Sequence, residues 1–215
     1  RLLQDSNYRN YIVYQIEDPI IRRFWEEEFK GMLGNQRLVT EAIAPIQNRL
    51  GQFLSSPLVR NIVGQARSSF DLEEIMSEGK IFFANLSKGW LGSDDSNILG
   101  SMLVTRLYFE AMRRVRIPEE ERKNFHLYVD EFQNFAATGS FASILSEARK
   151  YHLCLHLTHQ YVAQLPEEVR DAVFGNVGTI VSFGLGAPDA RVMASEFAPY
   201  FTEEDIISLD AYNVY

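Results

Sequence analysis

Along the first third of the chain apolar residues recur at helical spacing, and from Asp71 onward helical stretches alternate with short apolar runs of strand length. Asp18 and Pro19 form a cap and first turn, and Ile20, Ile21, Phe24, Trp25 and Phe29 follow on one face. A second helix is predicted over residues 42–54, and Pro57, behind Ser55 and Ser56, starts a third. Residues 1–70 therefore read as an all-helical subdomain. Asp71 caps a short helix that ends at Gly79, after which the pattern predicts a strand over 80–86, a helix over 96–115 and a strand over 125–130. A helix over 140–150 carries Phe141, Ile144, Leu145 and Ala148 at i, i+3, i+4 and i+7, one stripe to lay on a sheet. A strand over 151–158, a helix over 166–173, a strand over 177–183 and a helix over 188–197 complete the pattern. Strands alternating with helices predict an α/β fold class over 71–215, a parallel sheet with both faces covered. No internal repeat, low-complexity tract or flexible linker interrupts it.

The chemistry concentrates at two strand ends. The apolar run Phe125, His126, Leu127, Tyr128, Val129 leads straight into Asp130 and Glu131. In an open α/β sheet the carboxyl ends of the strands form the edge where ligands sit, so paired carboxylates there can meet a metal-bound nucleotide. One acid can hold magnesium while its neighbour polarises the attacking water. Asp130 and Glu131 suit those two roles and read as the Walker B end of a nucleotide-hydrolysing motor, although a helix cap or a solvated turn uses the same residue types. The strand over 151–158 ends in His159 and Gln160. Sequential strands joined by a helix are commonly neighbours, which brings Gln160 beside Glu131, to sense a γ-phosphate or hold water, or leaves it an ordinary turn residue. Arg149 closes the connecting helix, a position that the helix dipole by itself favours for a cation.

The stretch Tyr128, Val129, Asp130, Glu131, Phe132, Gln133 is followed by Leu145, Ser146, Glu147, Ala148, Arg149, Lys150, Tyr151 and by His159, Gln160, Tyr161, Gln164, Leu165. Phe174, Gly175, Asn176, Val177, Gly178, Thr179 and later Asp189, Ala190, Glu196, Phe197 continue the series. In order and spacing these motifs resemble the C-terminal half of the motor domain of type IV secretion coupling proteins. These are the conjugative DNA-transfer ATPases of the TraD and TraG kind, within the FtsK–HerA group of P-loop ATPases. The similarity is strong over residues 71–215 and looser over 1–70, which resemble the helical subdomain inserted in that motor domain. The resemblance implies a RecA-like core with ATP and Mg2+ as cofactors. It makes Asp130 the magnesium residue, Glu131 the water-activating base and Gln160 the nucleotide sensor. Arg149 then reaches into a neighbouring subunit's site. It further implies a hexameric ring, DNA as cargo, and relaxase, relaxosome and secretion-channel components as partners. The helical subdomain of that family lies at the cytoplasmic mouth and is implicated in DNA or substrate engagement; a lid with only a packing role is the alternative for residues 1–70.

No Gly-x-x-x-x-Gly-Lys-Ser/Thr loop occurs anywhere in the 215 residues; glycines such as Gly31 and Gly34 lack a lysine and hydroxyl in register. The chain opens on Arg1, Leu2, Leu3 and stops at Tyr215 in what reads as an entering strand, so the expectation is a piece of a longer motor. Such a piece is expected neither to bind nucleotide tightly nor to hydrolyse it, because backbone amides around the phosphates supply much of the binding. A composition of 46% hydrophobic and 23% charged residues suits a folded core and excludes a disordered chain. One cysteine, Cys154, leaves no disulfide framework and favours a cytoplasmic setting. No uninterrupted apolar run reaches the roughly 18 residues of a membrane span, so any membrane contact is expected through segments outside this sequence. The net charge of −8 argues against a uniformly basic nucleic-acid coat but leaves room for a pore whose few contacts symmetry repeats.

Within that frame the segment Ser87, Lys88, Gly89, Trp90, Leu91, Gly92 joins a cation and an aromatic ring in a flexible loop, a candidate DNA contact through Lys88 and Trp90. The ordinary alternative is a surface turn with Trp90 packed on its own domain. Arg113, Arg114 and Arg116 end a helix, where cations are expected without any partner. His152, Cys154 and His156 alternate along one strand, with His126 on the next, a metal-ligating set in type. The run is apolar and zinc spacing is missing, so neutral histidines in a covered sheet are the simpler account. Where relatives commonly place an arginine after Val181, Ser182 and Phe183, this chain has Gly184, Leu185 and Gly186, with Arg191 the nearest substitute. The expected function is an ATP-driven DNA pump of conjugation or type IV secretion. The alternatives are a HerA- or FtsK-like translocase of double-stranded DNA in repair or segregation, and a non-hydrolysing docking platform for a relaxase or secreted protein.

Overall fold

The structure is a computed structural model that describes residues 1–136 and 140–215, apart from the side chains of Gln36, Arg49, Gln52, Phe53 and Ser140. It divides into two compact units, Arg1–Gln65 and Ala66–Tyr215. The first unit is helical: α1 (Ser6–Tyr14), α2 (Pro19–Arg23), α3 (Lys30–Met32), α4 (Gln36–Ser55) and α5 (Pro57–Val63). Four of these helices, α1, α2, α4 and α5, start where side chains satisfy free amides. The Asp5 carboxylate accepts from the amides of Asn7 and Tyr8, and Asp18 accepts from Ile20 at 2.8 Å and Ile21 at 3.3 Å, with Pro19 preset at the first turn. Asn35 caps α4 through the Arg37 and Leu38 amides and starts it six residues before the apolar pattern does, at Gln36.

The stripe expected from Ile20 to Phe29 is not buried as one face. After α2 the chain widens into a π-helical turn over Phe24–Phe29, which changes the period under the stripe. Phe29 is 4% exposed, whereas Ile20 and Ile21 are 78% and 49% exposed. Phe29 packs under the buried Arg9, whose guanidinium lies 5.1 Å from the ring centroid and donates to the carbonyls of Leu2 and Leu3.

The second unit holds α6 (Leu72–Glu78), α7 (Lys88–Leu91), α8 (Ser93–Arg113), β1 (Phe125–Val129), α9 (Ser140–Glu147), β2 (Leu153–Leu157), α10 (Glu167–Asn176), α11 (Ala187–Phe197) and α12 (Glu203–Ile207). Asp71 caps α6, and Gly79 ends it in the left-handed region at φ 73°, a conformation glycine adopts without a Cβ penalty. β1 and β2 pair in parallel, Phe125 opposite Leu153 through Val129 opposite Leu157. Phe125, Leu127, Val129, Leu153, Leu155 and Leu157 pack toward a core that includes Met76, Leu107, Ala111, Phe141, Ile144 and Val169. Fully burying a Val, Leu, Ile, Phe or Met side chain stabilises a fold by about 1.5–3 kcal/mol. A smaller cluster forms around Ala190, Met193 and Ile206, joined by Ile180, Leu185 and Tyr215.

Two expected strands are not formed. Over 80–86 the alternation is real: Phe82 and Leu86 pack on the core while Ile81 and Phe83 are 84% and 90% exposed. Over 177–183 Ile180 packs inward while Val181 and Phe183 face solvent, and Ser182 exchanges both backbone hydrogen bonds with Tyr215. Alternation reports burial, but a strand also needs a partner backbone, and among the described residues neither segment has a ladder. The helix expected over 140–150 ends as an α-helix at Glu147 and tightens into a 3-10 turn over Ala148–Tyr151. His152 follows in the left-handed region at φ 56°, so β2 begins one residue later and His152 is not on the strand.

Two arginines of the basic cluster at the end of α8 are tied into the fold. Arg113 bonds Glu110 at 3.1 Å, and the buried Arg114 donates to the carbonyls of Tyr151 at 3.1 Å and Lys123 at 2.6 Å, pinning the starts of both strands. Gly100 on α8 lies directly against the buried Phe135 ring, leaving no room for a Cβ, while the Ser101 hydroxyl donates to the Phe135 carbonyl at 3.3 Å. Gly100→Ala is expected to force that ring aside and destabilise the second unit by about 1–3 kcal/mol, despite the better helix propensity of alanine. A urea melt checks this; an unchanged midpoint would mean that Phe135 has an alternative seat.

Candidate functional site

The parallel ladder runs one step past the strands: the Thr158 amide donates to the Val129 carbonyl at 3.1 Å, and the Phe132 amide donates to the Thr158 carbonyl at 3.0 Å. Asp130 and Glu131 fill the gap between those two bonds, at the carboxyl edge of the pair. Glu131 sits in the left-handed region, φ 53° and ψ 44°, an arrangement that costs a non-glycine residue about 1–3 kcal/mol and needs support. The support is polar. The Glu131 amide donates to Asp130 Oδ1 at 3.1 Å and to Thr158 Oγ1 at 3.4 Å, and the Thr158 hydroxyl donates to the same Asp130 oxygen. Phe132, 1% exposed, anchors the turn from below and stacks on Phe141 and His159.

The strained turn aims the Glu131 carboxylate along the edge. Its Oε1 accepts from Gln160 Nε2 at 2.6 Å, and its Oε2 accepts from Gln133 Nε2. Asp130 and Gln160 are exposed and Glu131 is half-buried, so the acids are open to solvent and held by neutral donors rather than by cations. Asp130 Oδ2 accepts no hydrogen bond among the described residues. Gln133 Oε1 is buried without a partner among the described residues. Sequence reasoning singled out Asp130, Glu131 and Gln160 and missed Thr158 and Gln133 as supports. The register carries the signal for Thr158: with Val129 opposite Leu157, the residue that follows β2 falls beside Asp130.

His159 lies under the edge. Burial pushes its imidazole below the usual histidine range, outweighing the opposite pull of the Asp189 and Glu131 carboxylates. A histidine held neutral in the folded state leaves stability intact above its unfolded value of about 6.5 and removes it as pH falls below that, where the unfolded chain takes up the proton first. His159→Gln is therefore expected to flatten the loss of stability between pH 6.5 and 5, measured by thermal melts across that window. An unaltered pH profile would contradict the assignment.

Arg149 is elsewhere. It stands in the 3-10 turn before β2, exposed and with no hydrogen-bond or ion-pair partner for its guanidinium among the described residues. A parallel strand rises about 3.3 Å per residue, so the length of β2 separates Arg149 from the Glu131 edge of its own chain by roughly 15–20 Å. Lys88, by contrast, is brought to the edge: its Nζ donates to Asn134 Oδ1 at 2.7 Å, and Asn134 closes the turn that follows Glu131. Trp90 on the same short helix is 86% exposed, so the packed alternative for that ring does not hold. Arg191, the nearest substitute for the arginine missing at Gly184, bonds Glu203 at 3.5 Å.

The outer face of the strand pair carries His126, Tyr128 and His156 in the open, contrary to the covered sheet expected. His126 Nδ1 and His156 Nε2 are 3.0 Å apart, and Tyr128 stacks on His156 with centroids 4.2 Å apart. With His152 off the strand, no group of three or more His, Cys, Asp or Glu among the described residues can hold a metal ion. Asp130 with Thr158 fits a different demand, that of magnesium, which takes one or two protein ligands and completes its shell with phosphate and water oxygens.

Residues 124–208 match the family model described as the TraM recognition site of TraD and TraG. That match takes in β1, the carboxylate edge, Arg149 and Gln160, and it supports a place among the conjugative coupling proteins. Neither the curated proteins nor the solved structures yield a match to this chain. No helix among the described residues is long and apolar enough to cross a membrane.

Proposed function

We propose that the carboxylate edge is the water-activating half of an ATP site in a ring-forming motor. The motor moves DNA into a conjugation or type IV secretion channel from the cytoplasmic face of the membrane. One observation carries this reading: Gln160 reaches Glu131 at 2.6 Å across the carboxyl ends of two parallel strands, where a sensor and a base must meet. Glu131 takes the proton of the attacking water, and its two amide donors orient the carboxylate without neutralising it. Asp130, with one oxygen tied to Thr158 and the other without a donor among the described residues, would hold magnesium, which would supply charge neutralisation at the phosphates. On this reading the second unit contributes to a RecA-like core, and the phosphate-binding loop, which these 215 residues do not contain, is supplied from elsewhere in the motor. Arg149, exposed and too distant to serve its own edge, serves the site of the next subunit in the ring.

The loop bearing Lys88 and Trp90 is the proposed DNA contact, and the Lys88–Asn134 bond puts it next to the catalytic turn. Stacking on an aromatic ring contributes about 1–3 kcal/mol per base. Trp90→Ala in the assembled motor is expected to weaken single-stranded DNA binding by roughly tenfold or more. Fluorescence anisotropy of a labelled oligonucleotide checks it, and unchanged affinity would remove this loop from the DNA path.

The family match favours a second role for the same region, recognition of a TraM-like relaxosome component. The two readings separate on Glu131→Gln, which leaves partner binding intact and stops turnover if both hold. Partner binding by an assembled unaltered protein that hydrolyses nothing would leave a docking platform.

A further inference from the structure

Beside the carboxylate edge a cleft of about 480 Å3 opens between the segment after β2 and the start of α11, lined by Gln160, Tyr161, Gln164, Leu185, Pro188 and Asp189 among others. Its base is unusual. Asp189 is 8% exposed, and its carboxylate accepts no hydrogen bond and forms no ion pair among the described residues. Its oxygens are not fully sealed from solvent, and no cation lines the cleft to offset their charge. The amino end of α11 relieves part of that charge, since Asp189 stands in its first turn. Having spent that compensation on Asp189, the helix end offers no net attraction to an anion, and the lining contains no lysine, arginine or histidine. The neighbouring His159 supplies no counter-charge, because burial keeps its ring neutral.

The walls complete the chemistry. Leu185, Pro188 and Ala163 are apolar, the 54% exposed Tyr161 ring stands among them, and the side-chain amides of Gln160 and Gln164 add carbonyl oxygens. A carboxylate below, aliphatic walls and an aromatic face match a planar cation on an aliphatic stem. A metal ion is a poor match, since one carboxylate is present and no cluster of three ligating side chains exists among the described residues. We infer that this cleft is a receptor for an arginine side chain presented by another polypeptide, with Asp189 as its counter-ion. Arg149 of the same chain cannot fill it, since that residue stands at the far end of β2. The inference does not depend on ATP hydrolysis, and its test contains no nucleotide.

The test is a titration of the 215-residue chain with the peptide acetyl-Gly-Arg-Gly-amide, followed by amide chemical shifts. Its control is the same peptide with citrulline, which keeps the shape and removes the charge. Saturable shifts confined to residues 160–164 and 184–189 are expected with the arginine peptide. The citrulline peptide is expected to give none, and Asp189→Asn to weaken the arginine peptide about tenfold or more, the loss of one charge-assisted contact. Equal shifts from both peptides on the unaltered chain, or shifts scattered over the acidic surface, would overturn the inference whether or not the variant folds. A folded Asp189→Asn chain that binds as well as the original would overturn it too.

Discussion

Glu131→Gln, made in the full-length motor, is expected to lower ATP turnover by about 10²–10⁴-fold while nucleotide binding and ring assembly persist. The loss follows from the two contacts that hold the side chain. Gln160 and Gln133 both donate to the carboxylate, which leaves it charged, half-buried and aimed along the strand edge. An amide of the same shape cannot accept from both. One of its two positions becomes an NH2 group facing another NH2 group, so the side chain loses its base and one of its orienting bonds together. Glu131→Asp keeps the charge and withdraws it by one methylene, and it is expected to retain a small part of the activity. Single-turnover kinetics with a binding assay on the same preparations separate loss of chemistry from loss of affinity. Turnover that survives Glu131→Gln would move the base to another residue.

Arg149→Ala is the second large effect, about 10³–10⁵ in hydrolysis if the residue acts as a finger on developing γ-phosphate charge. The geometry makes a sharp distinction here. The guanidinium is exposed and unpartnered, so its removal is expected to leave the melting curve within about 0.5 kcal/mol of the parent. It is also at the opposite end of β2 from Glu131, so the effect must appear across a subunit boundary. Mixed rings of Arg149→Ala and Glu131→Gln subunits, each inactive by itself, are expected to recover part of the activity. In some interfaces an intact Glu131 faces an intact Arg149. No recovery in verified mixed rings would exclude action in trans.

Much of this site was legible in the residues because it depends on short-range facts. The apolar run before Asp130 fixes a strand end, and the helix stripe through Phe141, Ile144, Leu145 and Ala148 makes the next strand a parallel neighbour; together they place Gln160 beside Glu131. The left-handed turn at Glu131 was not legible, since glutamate has no preference for it and only the fixed bonds around Thr158 hold it there. The segments 80–86 and 177–183 illustrate the opposite case. Their side chains alternate as strands do, yet pairing depends on a neighbouring backbone that a local pattern cannot report. The stripe in the first unit misled for a third reason: a π-helical turn at Phe24–Phe29 altered the period that the spacing presumed. The place of Asp189 in the cleft was similarly hidden, because an acid in a helix's first turn is ordinary and only its 8% exposure sets it apart.

The most direct measurement is ATP turnover by the assembled full-length protein without DNA, with single-stranded DNA and with double-stranded DNA. The account predicts basal turnover that DNA raises several-fold, with the stimulation lost in Glu131→Gln. Rings that bind nucleotide and DNA but hydrolyse nothing under any of the three conditions would contradict it.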